Sequence, residues 1–392
     1  MTAGGSGDRR LVLAVSYLGM LAFGVVLTTL GAVLPSLVER FGIDKAGAGA
    51  LFTLLSFGIL VGSIVFGPIV DRRGYRGILT LALALIVLGL EGIAFAPTLG
   101  WLRAAIALIG FGGGIVNGGT NALVADVSEE GRGAGLSLLG VFFGLGAVGV
   151  PFVLAVLLGR ATYTTIVAAL GAVPLLPLLV ASVAPFPAPK HAQGFPLADA
   201  GGLLRDGALL LMGAMLFLAS GMEITVGGWT ATYFQEELGV GGRRALVILS
   251  LYWLGMMLAR IALGGLLRRL AAERVLLACI GVAIGGASLL IGTRHVAAAA
   301  LGVFLIGAGL AANFPVVLGF VGDRYARLSG TAFGIVIVMA LMGGMSIPYV
   351  TGALGARHGL RASFLVVPIA LLLLAALLAV VTRRRLARAP AA

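Results

Sequence analysis

The chain predicts an all-α membrane protein of twelve transmembrane helices, arranged as two parallel six-helix repeats. Three observations predict it: composition, the spacing of apolar runs, and a match of the chain to itself. Of 392 residues, 60% are hydrophobic and 11% are charged, with a mean hydropathy of +1.12. An ordinary soluble domain carries roughly 25% charged residues. Such a chain cannot cover itself with polar surface, which excludes soluble enzymes. Nucleic acid is not an expected partner either, despite a net charge of +12. The basic residues stand in short runs between long apolar stretches, where they mark membrane topology and contact with lipid. Cys279 is the one cysteine, so no intramolecular disulfide forms.

A spanning helix needs about 20 apolar residues, and charged clusters with Pro and Gly turns cut the chain into twelve such stretches. The first runs over 11–37, after Arg9 and Arg10; it is longer than a signal-peptide core and lacks a cleavage site, so it reads as an anchor. The others follow at 48–70, 78–97, 101–124, 134–158, 162–184, 207–234, 245–267, 275–292, 297–321, 330–354 and 362–381. Between the sixth and seventh lies Pro185 to Asp206, with Pro187, Pro189, Pro196, Lys190 and His191. It reads as a linker, 185–206, between an N-terminal half, 1–184, and a C-terminal half, 207–392. Placing both termini in the cytoplasm puts seventeen Lys and Arg on the inner face against nine outside. That is the orientation that positive residues prefer, and it is expected in the cell inner (plasma) membrane.

Sliding the chain by 197 residues pairs Gly24 with Gly221, Gly58 with Gly255, Arg72 with Arg269, Gly89 with Gly286, Gly110 with Gly307, Gly112 with Gly309, Asp126 with Asp323, Gly146 with Gly343 and Pro151 with Pro348. Six spans per repeat is an even number, so both halves face the same way. Parallel repeats imply a pseudo-two-fold axis along the membrane normal and a solute site near the midplane.

With those residues in view, the chain resembles the major facilitator superfamily of secondary transporters over nearly its whole length. The most specific stretch is Gly67-Pro68-Ile69-Val70-Asp71-Arg72-Arg73-Gly74-Tyr75-Arg76, which looks like the superfamily's cytoplasmic loop signature; in its second-half partner Arg268 replaces Asp71. The resemblance implies a cytoplasmic gate containing Gly67, Asp71, Arg72, Arg73 and Arg76, with Asp126, Asp323 and Arg260 as further members. Gly110 to Val124 in span four and Gly221 to Tyr233 in span seven are similar to the branch of fucose permease-like sugar symporters and sodium-dependent glucose carriers. That branch implies sugar transport coupled to a proton or sodium ion, with Thr225, Trp229 and Tyr233 among the substrate contacts. Spans one and four lack the acidic residue that proton-coupled members often carry there.

Few side chains in the spans can do chemistry. His191, His295 and His358 lie in loops or at span ends, so neither a zinc site nor a Ser-His pair assembles at depth. No enzyme, metal or cofactor is expected. Glu223 sits near the middle of span seven, where a carboxylate costs at least roughly 2.5 kcal/mol to insert and is functional by default. It reads as the ion-coupling residue or as a structural carboxyl bonded to a neighbouring helix, with Glu91 the weaker candidate. Gly227 and Gly228, one turn on, are poor helix formers that would let the span bend. Arg260 is expected to reach Asp323 or helix-end carbonyls through its flexible stem, or to meet an anionic substrate.

Gly110, Gly114, Asn117 and Asn121 fall on one helical face. The two amides, with Asn313 in span ten, suit sugar hydroxyls and interhelical hydrogen bonds equally. Tyr17, Phe142, Phe143, Trp229, Tyr233, Tyr252 and Trp253 offer ring faces to a sugar or simply pack. Gly140 and Gly144 read as a close helix contact. A small polar solute, chiefly a sugar, moved by a monomer is the leading expectation. A drug-efflux antiporter on the same fold is its rival, and a transport-inactive sensor stands third.

Overall fold

The structure is a computed structural model that describes residues 6–127, 132–187, 202–325 and 328–386. Pro189, Lys190, His191 and Pro196 of the linker, and Arg327 and Arg388 of the charge count, lie outside them. Among the described residues twelve helices are long and apolar enough to cross a membrane. They are Ser6–Phe41, Lys45–Arg73, Tyr75–Ala94, Leu99–Val127, Arg132–Leu157, a broken sixth of Tyr163–Gly171 and Leu175–Val183, Gly207–Leu238, Gly242–Leu266, Ala272–Gly292, a broken tenth of Val296–Leu310 and Asn313–Arg324, Ser329–His358, and a twelfth built from Leu360–Ser363 and Val366–Leu386. Among the described residues there is no strand, only an isolated bridge between Leu158 and Ala161.

The breaks have local causes. Proline lacks an N–H and its ring clashes with the carbonyl four residues back. Pro174 and Pro177 therefore stop the sixth span after Gly171, and Pro315 interrupts the tenth at Ala311 and Ala312. Pro35, Pro68, Pro151 and Pro348 lie inside unbroken helices.

Two compact units result, one of Met1–Gln193 with Gly241–Ser250, the other of Gly194–Val240 with Leu251–Ala392. The opening of the eighth span goes with the first unit, where Arg243 donates to the Leu158 carbonyl at 2.9 Å.

Within each unit the helices cross at the same places. In the first, Gly58 faces the Ala107 carbonyl and Gly110 the Leu55 carbonyl, where spans two and four touch; in the second, Gly255 faces Phe304 and Gly307 faces Tyr252. Each second-unit residue is the first-unit residue plus 197, glycines and targets alike. The same holds for Gly112 on Ala82 and Gly309 on Cys279, where an added methyl would stand 2.6 and 2.5 Å from the carbonyl oxygen. Backbones this close admit only glycine, as small-residue crossings in membranes require. The close contact expected at Gly140 is not made, since a methyl there meets nothing within 4 Å; in span five the approach is at Gly146, against Leu21.

The ends of spans one and seven also repeat, with the residues exchanged. Arg40, ending span one, donates to the Ala94 and Ala96 carbonyls at 3.5 and 2.8 Å and to the Tyr163 hydroxyl at 2.6 Å. At the equivalent place in the second unit, Arg361 donates to the Ile291 and Thr293 carbonyls at 3.1 and 3.0 Å. Glu237, the mate of Arg40, accepts the Leu360 and Arg361 N–H groups at 2.9 and 3.2 Å. Both arrangements satisfy the terminal carbonyls of a helix that has no further turn to bond them.

Candidate functional site

Glu223 sits well inside span seven, flanked by Met222, Thr225 and Val226, all buried. A carboxylate in such surroundings needs a partner. It has one in Arg260 of span eight, 3.7 Å from its Oε2, with the two side chains 26% and 10% exposed for Arg260 and Glu223 respectively. Span eight grips the same turn twice more. The Tyr252 hydroxyl donates to the Glu223 backbone carbonyl at 3.2 Å, and the Trp253 ring lies so near Gly227 that an added methyl would be 2.7 Å from it. Tyr252 and Trp253 meet edge to face at 5.0 Å. Gly227 thus serves as a seat for an indole, and span seven runs through it as one unbroken helix. No break in the helix occurs at Gly227 and Gly228.

The repeat gives this constellation its meaning. At the positions equivalent to Glu223, Arg260, Tyr252 and Trp253 the first unit has Val26, Ser63, Leu55 and Ser56. Val26 is buried, and Ser63 donates to the Gly114 carbonyl at 3.4 Å. The equivalent positions of the first unit therefore carry no ionisable side chain.

The other candidates sit in different surroundings. Trp229 and Tyr233 are fully buried and donate to the Pro348 and Leu290 carbonyls, each at 3.2 Å; they knit span seven into its own unit. Thr225 is also buried, its hydroxyl without a hydrogen-bond partner among the described residues. In span four Asn121 donates to the Asn117 carbonyl at 2.8 Å and to its side-chain oxygen at 3.3 Å. The two amides therefore act as one half-buried pair. Asn313 opens the helix after the break in span ten, donating to Leu310 at 3.0 Å while its buried side-chain oxygen accepts nothing among the described residues. Tyr17 stacks on Phe142 at 5.3 Å. Glu91 is half-buried in span three, its carboxylate against Gly171 at the break of span six.

At the turn between spans two and three, the residue with a conformational demand is Gly74, whose φ of 75° is left-handed. A methyl at Gly67 meets nothing within 4 Å, so the close approach expected there is not made. Arg72 and Arg73 are exposed. Tyr75 donates to Asp126 at 2.7 Å and Arg76 caps the Ala184 carbonyl at 2.8 Å, tying span three to spans four and six. In the second unit Asp206 caps span seven through the Ala208 N–H at 2.7 Å and stands 4.0 Å from Arg324. Burial works to raise the Asp206 pKa. The Ala208 N–H, the Tyr325 hydroxyl, the Leu209 N–H and the Arg324 charge outweigh it, and the carboxyl is held below its usual range. No group of His, Cys, Asp and Glu fit to hold a metal occurs among the described residues.

Sequence reasoning found Glu223 and Arg260 separately and missed that they face each other. The available signal was that one half carries two opposite charges inside its spans. Tyr252 as a hydrogen-bond donor, Asp206 with Arg324, and the carbonyl-binding arginines Arg40 and Arg361 were also missed.

Twelve apolar helices among the described residues, with Glu223 beside Arg260 inside the second unit, make this a multi-pass membrane protein. The model of the Major Facilitator Superfamily matches residues 16–325, and the chain belongs to that family. Protein TsgA of Salmonella schwarzengrund (strain CVM19633) is 25% identical over 281 residues, 71% of each chain. Among solved structures, a variant of the nucleoside transporter NupG aligns with a TM-score of 0.80 at 15% identity, over 95% of this chain and 99% of that one. The D-xylose-proton symporter aligns with a TM-score of 0.79 at 15% identity, over 94% and 97%. A bacterial homologue of the human lysosomal transporter Spinster, inward-facing and occupied, gives 0.80 at 14% identity over 99% and 100%.

Proposed function

We propose that the protein is a secondary active transporter that moves a small hydroxylated solute of the sugar class by alternating access, coupled to a proton carried on Glu223. It works as a monomer in the cell inner membrane with both termini cytoplasmic. The observation that carries this reading is the Glu223 and Arg260 pair, at positions where the first unit folds the same helix crossing with Val26 and Ser63. A feature that the fold does without in one repeat is there for the other repeat's task, and an ionisable pair at membrane depth is expensive to keep for packing alone. The sugar class is supported by the paired amides Asn117 and Asn121 and by the half-satisfied Asn313, whose donors and acceptors match hydroxyl groups. Similarity in fold to a D-xylose-proton symporter and a nucleoside transporter points the same way. Asp71, Arg72, Arg73, Arg76, Asp126 and Asp323 belong to the cytoplasmic gate, with Gly74 as its turn.

The test is Glu223→Gln, which mimics the protonated carboxyl, in proteoliposomes. Accumulation driven by an imposed proton gradient should vanish while exchange of solute across the membrane persists. Dependence on sodium, lost with the same change, would transfer the coupling role to sodium. Accumulation at the wild-type level would remove Glu223 from the mechanism and move attention to Glu91.

A further inference from the structure

The turn between spans eight and nine carries charge and apolar surface that solute transport does not use. Span eight ends at Leu266 and span nine begins at Ala272. Between them the chain closes tightly. The Arg269 and Leu270 N–H groups both donate to the Leu266 carbonyl at 3.0 Å, and those of Arg274 and Val275 donate to the Ala271 carbonyl at 3.0 and 3.1 Å. The stretch 268–274 thus holds three exposed arginines, Arg268, Arg269 and Arg274. Against them stands one carboxylate, Glu273, so three positive groups and one negative leave a net charge of +2. Among the described residues the three guanidiniums make no hydrogen bond or ion pair. Leu266 and Leu270 beside them, and Leu277 in the second turn of span nine, are exposed as well.

The repeat shows that a turn at this place does not require such residues. At the positions of Arg268, Leu270 and Leu277 the first unit has Asp71, Arg73 and Thr80, and its Arg76 already donates to the Ala184 carbonyl. Relative to it, the second unit has a guanidinium in place of a carboxylate and leucines in place of two polar residues. A small anion would be served by the charges alone. Unpaired cations next to exposed leucines at the end of a span suit a molecule with an anionic head and an apolar tail. We propose that this turn binds an anionic phospholipid, its phosphate among Arg268, Arg269 and Arg274 and its acyl chains along Leu266, Leu270 and Leu277. A guanidinium fork matches the oxygens of a phosphate, and a phosphate held there offsets the repulsion among three like charges. The site lies wholly within the second unit and is independent of the solute and of the coupling ion. In the orientation proposed above it meets the inner leaflet.

The test is native mass spectrometry of the delipidated full-length protein with phosphatidylglycerol or phosphatidylcholine of identical chains, alongside the thermal midpoint in detergent. Wild type should retain phosphatidylglycerol in preference to phosphatidylcholine, and its midpoint should rise further with the first lipid, since a bound ligand stabilises by mass action. Each arginine near an anionic headgroup is worth about fivefold in affinity, so Arg268→Gln, Arg269→Gln and Arg274→Gln together should weaken phosphatidylglycerol retention at least about tenfold. An equal loss of charge at three other exposed arginines, Arg103→Gln with Arg160→Gln and Arg357→Gln, should leave retention unchanged. Should the first triple variant not fold, Arg268→Gln and Arg274→Gln singly should each weaken retention about fivefold. Equal retention of the two lipids by wild type overturns the proposal, because the acyl chains then bind without the charges. So does equal weakening by the two triple variants, which would make the effect one of diffuse surface charge, and so does retention unaffected by every substitution in the turn.

Discussion

At the scale of single residues, the first unit supplies a control for the second. Because Val26 and Ser63 occupy the places of Glu223 and Arg260, the double variant Glu223→Val with Arg260→Ser should keep a thermal midpoint in detergent close to wild type and lose coupled transport. Glu223→Val alone leaves a partly buried guanidinium without its carboxylate and should cost about 1–3 kcal/mol, less than a fully buried pair because Arg260 is 26% exposed. Singles as stable as the double would mean that the pair has no energetic coupling. A second residue-scale expectation concerns Asp206. Its carboxyl has a folded pKa below the unfolded value of about 3.9. The stability it adds is therefore present above the unfolded pKa and is lost as pH falls through the folded one. The stability gap between wild type and Asp206→Asn should be constant near neutrality and close in acid below about pH 4; a gap unchanged down to strongly acidic pH would contradict the assignment.

At the scale of elements, the glycine crossings decide which substitutions the helices tolerate. At Gly307 a side chain would collide with the Tyr252 carbonyl, and at Gly110 with that of Leu55. Valine at either site should force spans eight and ten, or two and four, apart and cost roughly 3 kcal/mol or more. That loss should appear as diminished monodisperse protein on fluorescence-detected gel filtration. Gly67→Ala, facing open space, should be tolerated within about 0.5 kcal/mol. Equal damage at Gly67 and Gly307 would show that helix propensity governs, not backbone approach. Most of these elements were legible beforehand. The expected spans agree with the helices to within a few residues, because in lipid a run of about 20 apolar residues has one way to satisfy its backbone. The break in span ten was passed over although Pro315 announced it, since an apolar count is blind to a missing N–H.

For the whole molecule, the gate residues predict a shift in conformational balance. Removing the Asp71 charge with Asp71→Asn should leave folding intact and change the alkylation rate of single cysteines placed at the cytoplasmic span ends, in a background with Cys279 replaced. Unaltered rates with reduced transport would place Asp71 in some step other than gating.

By itself the sequence determined the membrane class, the number of spans and the 197-residue repeat. These depend on transfer of apolar groups from water and on local spacing, which are properties of the chain read in one dimension. It also marked Glu223 and Arg260 as costly residues. It did not reveal that they meet. By residue count Arg260 lies near one end of its span and Glu223 in the middle of the other, which puts them at different depths. Only the crossing of spans seven and eight, with Tyr252 on the Glu223 carbonyl and Trp253 over Gly227, brings a flexible arginine stem to the carboxylate. Trp229 and Tyr233 teach the same point in reverse. They look like substrate platforms in a list of aromatics, but the tertiary structure turns their polar atoms onto Pro348 and Leu290. Partnership between side chains on different helices depends on tilt and rotation, which long-range packing sets and no local pattern encodes.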